Sequence, residues 1–98
     1  MKVYISGKIS GLAKEEYEKH FNDAEKLLIA KGHDPVNPLR IIEVLGIDES
    51  DYPKLMGADI EALLRCDAIY MLHTWQDSLG AKAEKAVADI MGIKHLQL

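Results

Sequence analysis

Three side chains, far apart along the chain, could do chemistry together: Glu84, Asp59 and Tyr4. Glu84 stands in GAKAEKAVA, one turn into an expected helix that follows a strand. In that place its side chain leans back toward the helix N-terminus and the crevice beyond the strand end. An ionised carboxylate there can attack an electrophilic carbon or activate water. The plain alternative is a solvated helix glutamate near Lys82 and Lys85. Its neighbours Ala81, Ala83, Ala86, Val87 and Ala88 make the helix small and apolar, suited to close packing on a sheet. Asp59 lies inside another helix, where aspartate is a poor interior residue. It reads as a proton donor or a hydrogen-bond partner for a ligand, or else as a charge favoured by the helix dipole. Tyr4 lies in the first expected strand, where its phenol could orient a carboxylate or simply be a core aromatic with a satisfied hydroxyl.

A second group of residues could hold an anion. Ser6 and the glycine-bounded turn Gly7-Lys8-Ile9-Ser10-Gly11 offer backbone N–H groups, hydroxyls and one ammonium. The turn is neither a Walker loop nor a GxGxxG loop. Ser78, just before Gly80, could contact the same phosphate or be an ordinary helix cap. Trp75 could stack on a planar base or shield its loop, and Asp77 completes this polar stretch. His20, His33, His73 and His95 show no ligand-like spacing, so neither a metal site nor a cofactor is expected. Asp67, at a helix-to-strand junction, reads as a turn residue.

The elements that must position these groups alternate. Lys2–Ser6 is a β-branched and aromatic run, the expected first and central strand. Tyr17, Phe21, Ala24 and Leu28 recur at helical spacing between Lys14 and Lys31, with Gly32 at the expected helix end. His33–Asn37 is a weak strand blurred by Pro35 and Pro38. Leu39–Asp51 reads as a short helix or an ordered loop. Asp51-Tyr52-Pro53 resembles a helix start, and Met56, Ile60, Leu63 and Leu64 give that helix an apolar stripe ending near Arg65-Cys66. Ala68–Leu72 is a continuous apolar run, as in a strand buried on both faces. A helix from about Gly80 to Met91, capped by Gly92, and a last strand over Ile93–Leu98 complete the chain. The expectation is an α/β fold: a doubly wound parallel sheet of four, or five, strands in the order 2-1-3-4, with helices on both faces. The turn after the first strand and the loop after the third would then face each other across the switch point.

Composition narrows the function classes. The 98 residues suit a single domain over 1–98. The net charge of −4 argues against nucleic acid or a membrane surface as partner. The lone Cys66 excludes an intrachain disulfide and suits a reducing, cytoplasmic setting. No apolar run approaches spanning length, and the N-terminus lacks the apolar core of a signal peptide.

VYISGKISG near the start, ADIEALLRCDAIYML in the middle and DSLGAKAEKAVA after it resemble the nucleoside 2-deoxyribosyltransferase superfamily. The similarity is nearest to its short bacterial and phage domain-of-unknown-function branch (DUF4406-like) and to the deoxynucleoside monophosphate N-glycosidases. It implies a flavodoxin-like (Rossmann-like) sheet and cleavage or transfer at the N-glycosidic bond of a 2-deoxynucleoside or its 5′-monophosphate. It implies that Glu84, in Gly80-x-x-x-Glu84, is the nucleophile or base, that Tyr4 holds it, and that Asp59 serves the departing base. Ser78 stands two residues before Gly80, where the transferases have an aspartate; this form resembles the monophosphate glycosidases, whose serine contacts the 5′-phosphate. The resemblance also implies a homodimer or higher homo-oligomer whose pockets are completed from a neighbour's C-terminal segment. Here the last expected strand runs to Leu98, so that contribution is not expected. A non-catalytic nucleotide-binding module, a sensor or decoy, is the alternative function. The helix Pro53–Arg65 and the alanine-rich helix are the expected two-fold interface, since edge strands and an apolar helix face need cover.

Overall fold

The computed structural model describes residues 1–98. Four parallel strands, β1 (Lys2–Ser6), β2 (Asp34–Val36), β3 (Ala68–Met71) and β4 (Lys94–His95), lie in the order β2-β1-β3-β4. Between them run α1 (Lys14–Ala30), α2 (Pro38–Leu45), α3 (Tyr52–Leu64) and α4 (Leu79–Met91), with a short 3₁₀ turn at Trp75–Asp77. This is the expected doubly wound, flavodoxin-like α/β arrangement.

Successive side chains of β1 point to opposite faces of the sheet. Val3 and Ile5 pack with Phe21, Ala24 and Leu28 of α1 and with Ala68 and Leu72. Tyr4 packs on the other face with Leu63 of α3, Cys66, Ile69 and Ala88 of α4. That alternation also sends Ser6, wholly buried, toward α4. One face is therefore mainly apolar, and the other carries the buried polar groups Tyr4, Ser6 and Glu84.

The local signals explain the element ends. Gly32 and Gly92 take positive φ just after α1 and at the end of α4, the left-handed conformation that glycine adopts without a Cβ penalty. Asp51 caps α3 by accepting from Lys54 N, with Pro53 in the first turn. Asp67 accepts from Lys2 N at 2.9 Å and so pins the start of β1 to the start of β3.

One region carries two readings in the sequence, and another differs from expectation. Of the two readings of Leu39–Asp51 the short helix is the one found, α2 over Pro38–Leu45, because Asn37 caps it and Pro38 occupies its first turn. Asn37 is buried, accepts from Leu39 N, and donates to Asn22 and Glu25 of α1; Glu25 in turn takes two hydrogen bonds from Arg40 of α2. The last strand is shorter than Ile93–Leu98. Only Lys94 and His95 pair with β3, followed by a single bond from Leu96 N to Ile69 O. The sheet has four strands and no fifth.

Gly7 ends β1 where the backbone passes directly against Leu72. A Cβ at Gly7 would lie 2.6 Å from Leu72 Cδ1 and 2.9 Å from Leu72 Cβ. Gly7→Ala is expected to destabilise the fold by about 1–3 kcal/mol through overpacking. In urea unfolding, Gly7→Ala combined with Leu72→Ala should cost less than the sum of the two single changes. Additive costs would show that the close approach to Leu72 is not the cause.

Candidate functional site

The carboxyl ends of the strands open into a cleft of about 870 Å³. Its floor and walls bring together Gly7, Lys8, Ile9, Ser10 and Gly11 from the first turn with Asp59 from α3 and Asp77, Ser78, Gly80 and Glu84 from the segment after β3. Such a volume suits a small-molecule ligand.

Glu84 lies at the inner end. It is 5% exposed, despite its charge. Tyr4 Oη donates to Glu84 Oε2 at 2.8 Å, and Ser6 Oγ donates to Oε1 at 2.6 Å. Tyr4 and Ser6 are themselves wholly buried, so they hold the carboxyl from beneath while its other side borders the cleft. Burial pushes the Glu84 pKa above the usual carboxylate range, and the two hydroxyls oppose that shift. The phenol of Tyr4 is held well above its ordinary pKa, chiefly by burial and then by the charges of Glu84 and Asp59. It therefore stays a donor at neutral pH.

Asp59 borders the same cleft from α3. Burial, and then the nearby charge of Glu84, raise its pKa to about 7. Its Oδ1 is buried and has no hydrogen-bond partner. The two carboxyls thus differ in kind. One is compensated by two donors; the other is left to hold a proton near neutrality.

The remaining expected residues divide. Lys8 is the one cation lining the cleft, against Glu49, Asp59, Asp77 and Glu84, and its backbone N–H is fixed by Thr74 Oγ1 at 3.1 Å. Ser78 caps α4, accepting from Ala81 N at 3.1 Å, which leaves its own O–H free to donate. Trp75 is a correction: it does not line the cleft. The 3₁₀ turn carries its ring toward α4 instead, where Lys85 Nζ sits 5.6 Å from the ring centroid, so stacking on a base in the cleft is not its place. Ser6 belongs with Glu84 and does not line the cleft with the anion-holding turn. The signal was present, since Ser6 is two residues from Tyr4 on the same face of a strand.

Sequence reasoning missed the α3 wall. Tyr52 and Met56 line the cleft beside Asp59, at spacings of four and three residues along one helix face. Gly80 lies against them: a Cβ there would be 3.5 Å from Met56 Cε and 3.6 Å from Tyr52 Oη. Leu39 and Ile42 of α2 also line the cleft. The groups of three or more His, Cys, Asp or Glu that could hold a metal ion number none. No helix is long and apolar enough to cross a membrane.

A parallel sheet whose strand order reverses between β1 and β3, with a buried carboxyl at the switch point, defines a doubly wound α/β protein with a cleft at its strand ends. The sequence matches the family described as Domain of unknown function (DUF4406) over residues 1–96, and the chain belongs to that family. Its fold is similar to the solved structure of Clostridium botulinum CMP N-glycosidase, BcmB, with a TM-score of 0.59 and 21% identity over 97% of this chain. The chain spans 66% of the length of that neighbour. No curated protein matches the sequence.

Asp59 supplies a pH signature. A carboxyl whose pKa is raised on folding binds extra protons in the native state between its unfolded value of about 4 and about 7. Its contribution to stability is thus unaffected below pH 4, falls as pH rises through this window and stays reduced above it. Asp59→Asn should gain stability relative to wild type at pH 8 compared with pH 4, by about 2 kcal/mol after solvent screening. Carboxyl ¹³C titration should place the Asp59 midpoint near 7, and Glu84→Gln should lower it. A midpoint near 4 would remove Asp59 from this role.

Proposed function

We propose that this protein cleaves, or transfers across, the N-glycosidic bond of a 2-deoxynucleoside or its 5′-monophosphate. The observation that carries the reading is the pair of carboxyls in unlike environments at one cleft, with Glu84 fixed by Tyr4 and Ser6. The similarity of fold to a CMP N-glycosidase supports the same class of bond. The phosphate lies toward Lys8, the glycine-bounded turn and the Ser78 hydroxyl, and the sugar reaches the Glu84 end.

Glu84, ionised, attacks the anomeric carbon or directs water at it as the bond to the base breaks. Positive charge develops on the sugar and is stabilised by the carboxylate, as carboxylates serve glycosidases. In the covalent path a Glu84 oxygen bonds to the anomeric carbon and the electron pair of the breaking bond leaves with the base. Water, or a second base, then displaces Glu84. Asp59 gives its proton to the departing base. A group with pKa about 7 is protonated in a large fraction of molecules at neutral pH, and it regains the proton in the second half of the reaction. Tyr4 and Ser6 keep the attacking carboxylate in one rotamer.

Incubation with each deoxynucleoside monophosphate, with CMP and with the free nucleosides, followed by chromatography for released base, tests the reading. Glu84→Ala and Glu84→Gln should lower release by about 10³-fold or more while circular dichroism stays native. The rate should fall as pH rises through about 7, where Asp59 loses its proton, and fall again at acid pH as Glu84 gains one. Asp59→Asn should erase the upper limb. Full activity in Glu84→Gln would overturn the assignment. Nucleotide binding without base release would favour a binding module of the same fold.

A further inference from the structure

The α3 wall of the cleft carries a hydroxyl that the mechanism above does not use. Tyr52 is the first residue of α3, lines the cleft and is 52% exposed. Its Oη takes part in none of the chain's own side-chain hydrogen bonds. Gly80 locates that oxygen. A Cβ on Gly80 would lie 3.6 Å from Tyr52 Oη and 3.8 Å from Ser78 Oγ. The two hydroxyls therefore flank one point, at which α4 presents no side chain. They are no farther apart than the sum of those two distances. Separate oxygens of one phosphate, each accepting at about 2.7 Å, can span such a gap.

We propose that Tyr52 is a specificity-determining residue. Its hydroxyl, paired with that of Ser78 across Gly80, donates to the phosphate of a nucleoside 5′-monophosphate and favours that ligand over the free nucleoside. The role rests on the cleft's being a nucleotide site, as proposed above, and adds to it a donor from α3.

Part of the backbone around the cleft is already spent. Lys8 N–H donates to Thr74 Oγ1, Leu12 N–H to Ile9 O and Ala81 N–H to Ser78 Oγ. Side-chain donors therefore matter more than the glycine-bounded turn alone suggests. Electrostatics add to their weight. Four carboxyls, Glu49, Asp59, Asp77 and Glu84, line the cleft against the single ammonium of Lys8. A phosphate entering that field needs every close donor, whereas a neutral nucleoside does not. A hydrogen bond to a charged acceptor is also about twice as strong as one between neutral groups. A phenol O–H beside Ser78 thus acts on the phosphorylated ligand. The plain alternative is that the ring is only a wall beside Met56, whose Cε lies 3.5 Å from the same point. Substitution separates the two roles: Tyr52→Phe removes the hydroxyl alone, and Tyr52→Leu removes the ring as well.

Isothermal titration calorimetry on Glu84→Gln, in which turnover is suppressed, tests this. The ligands are the deoxynucleoside 5′-monophosphates and CMP, each beside its own nucleoside. This background should bind at least one monophosphate more tightly than the matching nucleoside. Adding Tyr52→Phe should weaken that monophosphate about tenfold and leave the nucleoside within about twofold, with circular dichroism native. Tyr52→Leu should cost the monophosphate no more than about twofold beyond Tyr52→Phe. Unchanged monophosphate affinity in Tyr52→Phe, an equal loss for nucleoside and monophosphate, a loss confined to Tyr52→Leu, or a background without preference for any monophosphate would each overturn the role of Tyr52. The expected binding pattern without base release by wild type would instead overturn the glycosidic reading and leave the role of Tyr52 standing.

Discussion

The buried carboxyl of Glu84 is the constraint around which one face of the sheet is built. An ionisable group held away from water is destabilising unless its oxygens find donors. Both donors here come from one strand, as Tyr4 and Ser6 project from β1 at a spacing of two. To reach them, α4 must lie close on the sheet, and its buried positions beside Glu84 are accordingly alanines, Ala81 and Ala88. The opposite face has no such demand and is filled by Phe21, Leu28 and their apolar neighbours. The polar clamp thus lies on the α3–α4 side of the sheet, and the α1 side is mainly apolar core.

That division sets the electrostatics of the cleft. Glu84 and Asp59 are near enough for the charge of one to raise the pKa of the other. Two equivalent carboxyls would share their protons ambiguously. These are not equivalent, because Glu84 has two hydroxyl donors and Asp59 has a buried oxygen with none. The proton is therefore favoured on Asp59, and the asymmetry follows from which strand residues face which helix. Away from the carboxyl pair, the cleft offers Lys8 and the backbone of a glycine-bounded turn, a chemically different end.

Much of this arrangement was legible in the residues themselves. Alternation in β1, a continuous apolar run for β3 and an alanine-rich helix after it are strong local signals for the elements, and the alternation of strands with helices makes 2-1-3-4 the natural expected order. What escaped was set by tertiary context. Pro38 reads as a strand breaker, whereas Asn37 before it makes Pro38 the first turn of α2. Trp75 follows β3 in a polar loop, yet a 3₁₀ turn redirects its ring toward Lys85. Ser6 looked like the start of an anion-holding turn because it precedes Gly7; its position on the Tyr4 face decides otherwise. The end of the last strand depends on how far β3 offers a partner, which no local pattern in Ile93–Leu98 encodes.

The walls of the cleft are secured differently from its floor. The floor is core: wholly buried strand residues beneath a closely packed helix. The wall from α2 is tied to α1 through Asn37, Glu25 and Arg40, and the wall from α3 begins at the Asp51 cap. Exposed ties and caps of this kind contribute on the order of 1 kcal/mol each, whereas Asn37 is buried and its loss would leave its partners unsatisfied. Leu39 also packs against the α1-side core, and Tyr52 and Met56 lie beside Gly80 of α4, so these walls are coupled to the helix that carries Glu84. The cleft thus joins a carboxyl clamped between β1 and α4 to walls that α2 and α3 present.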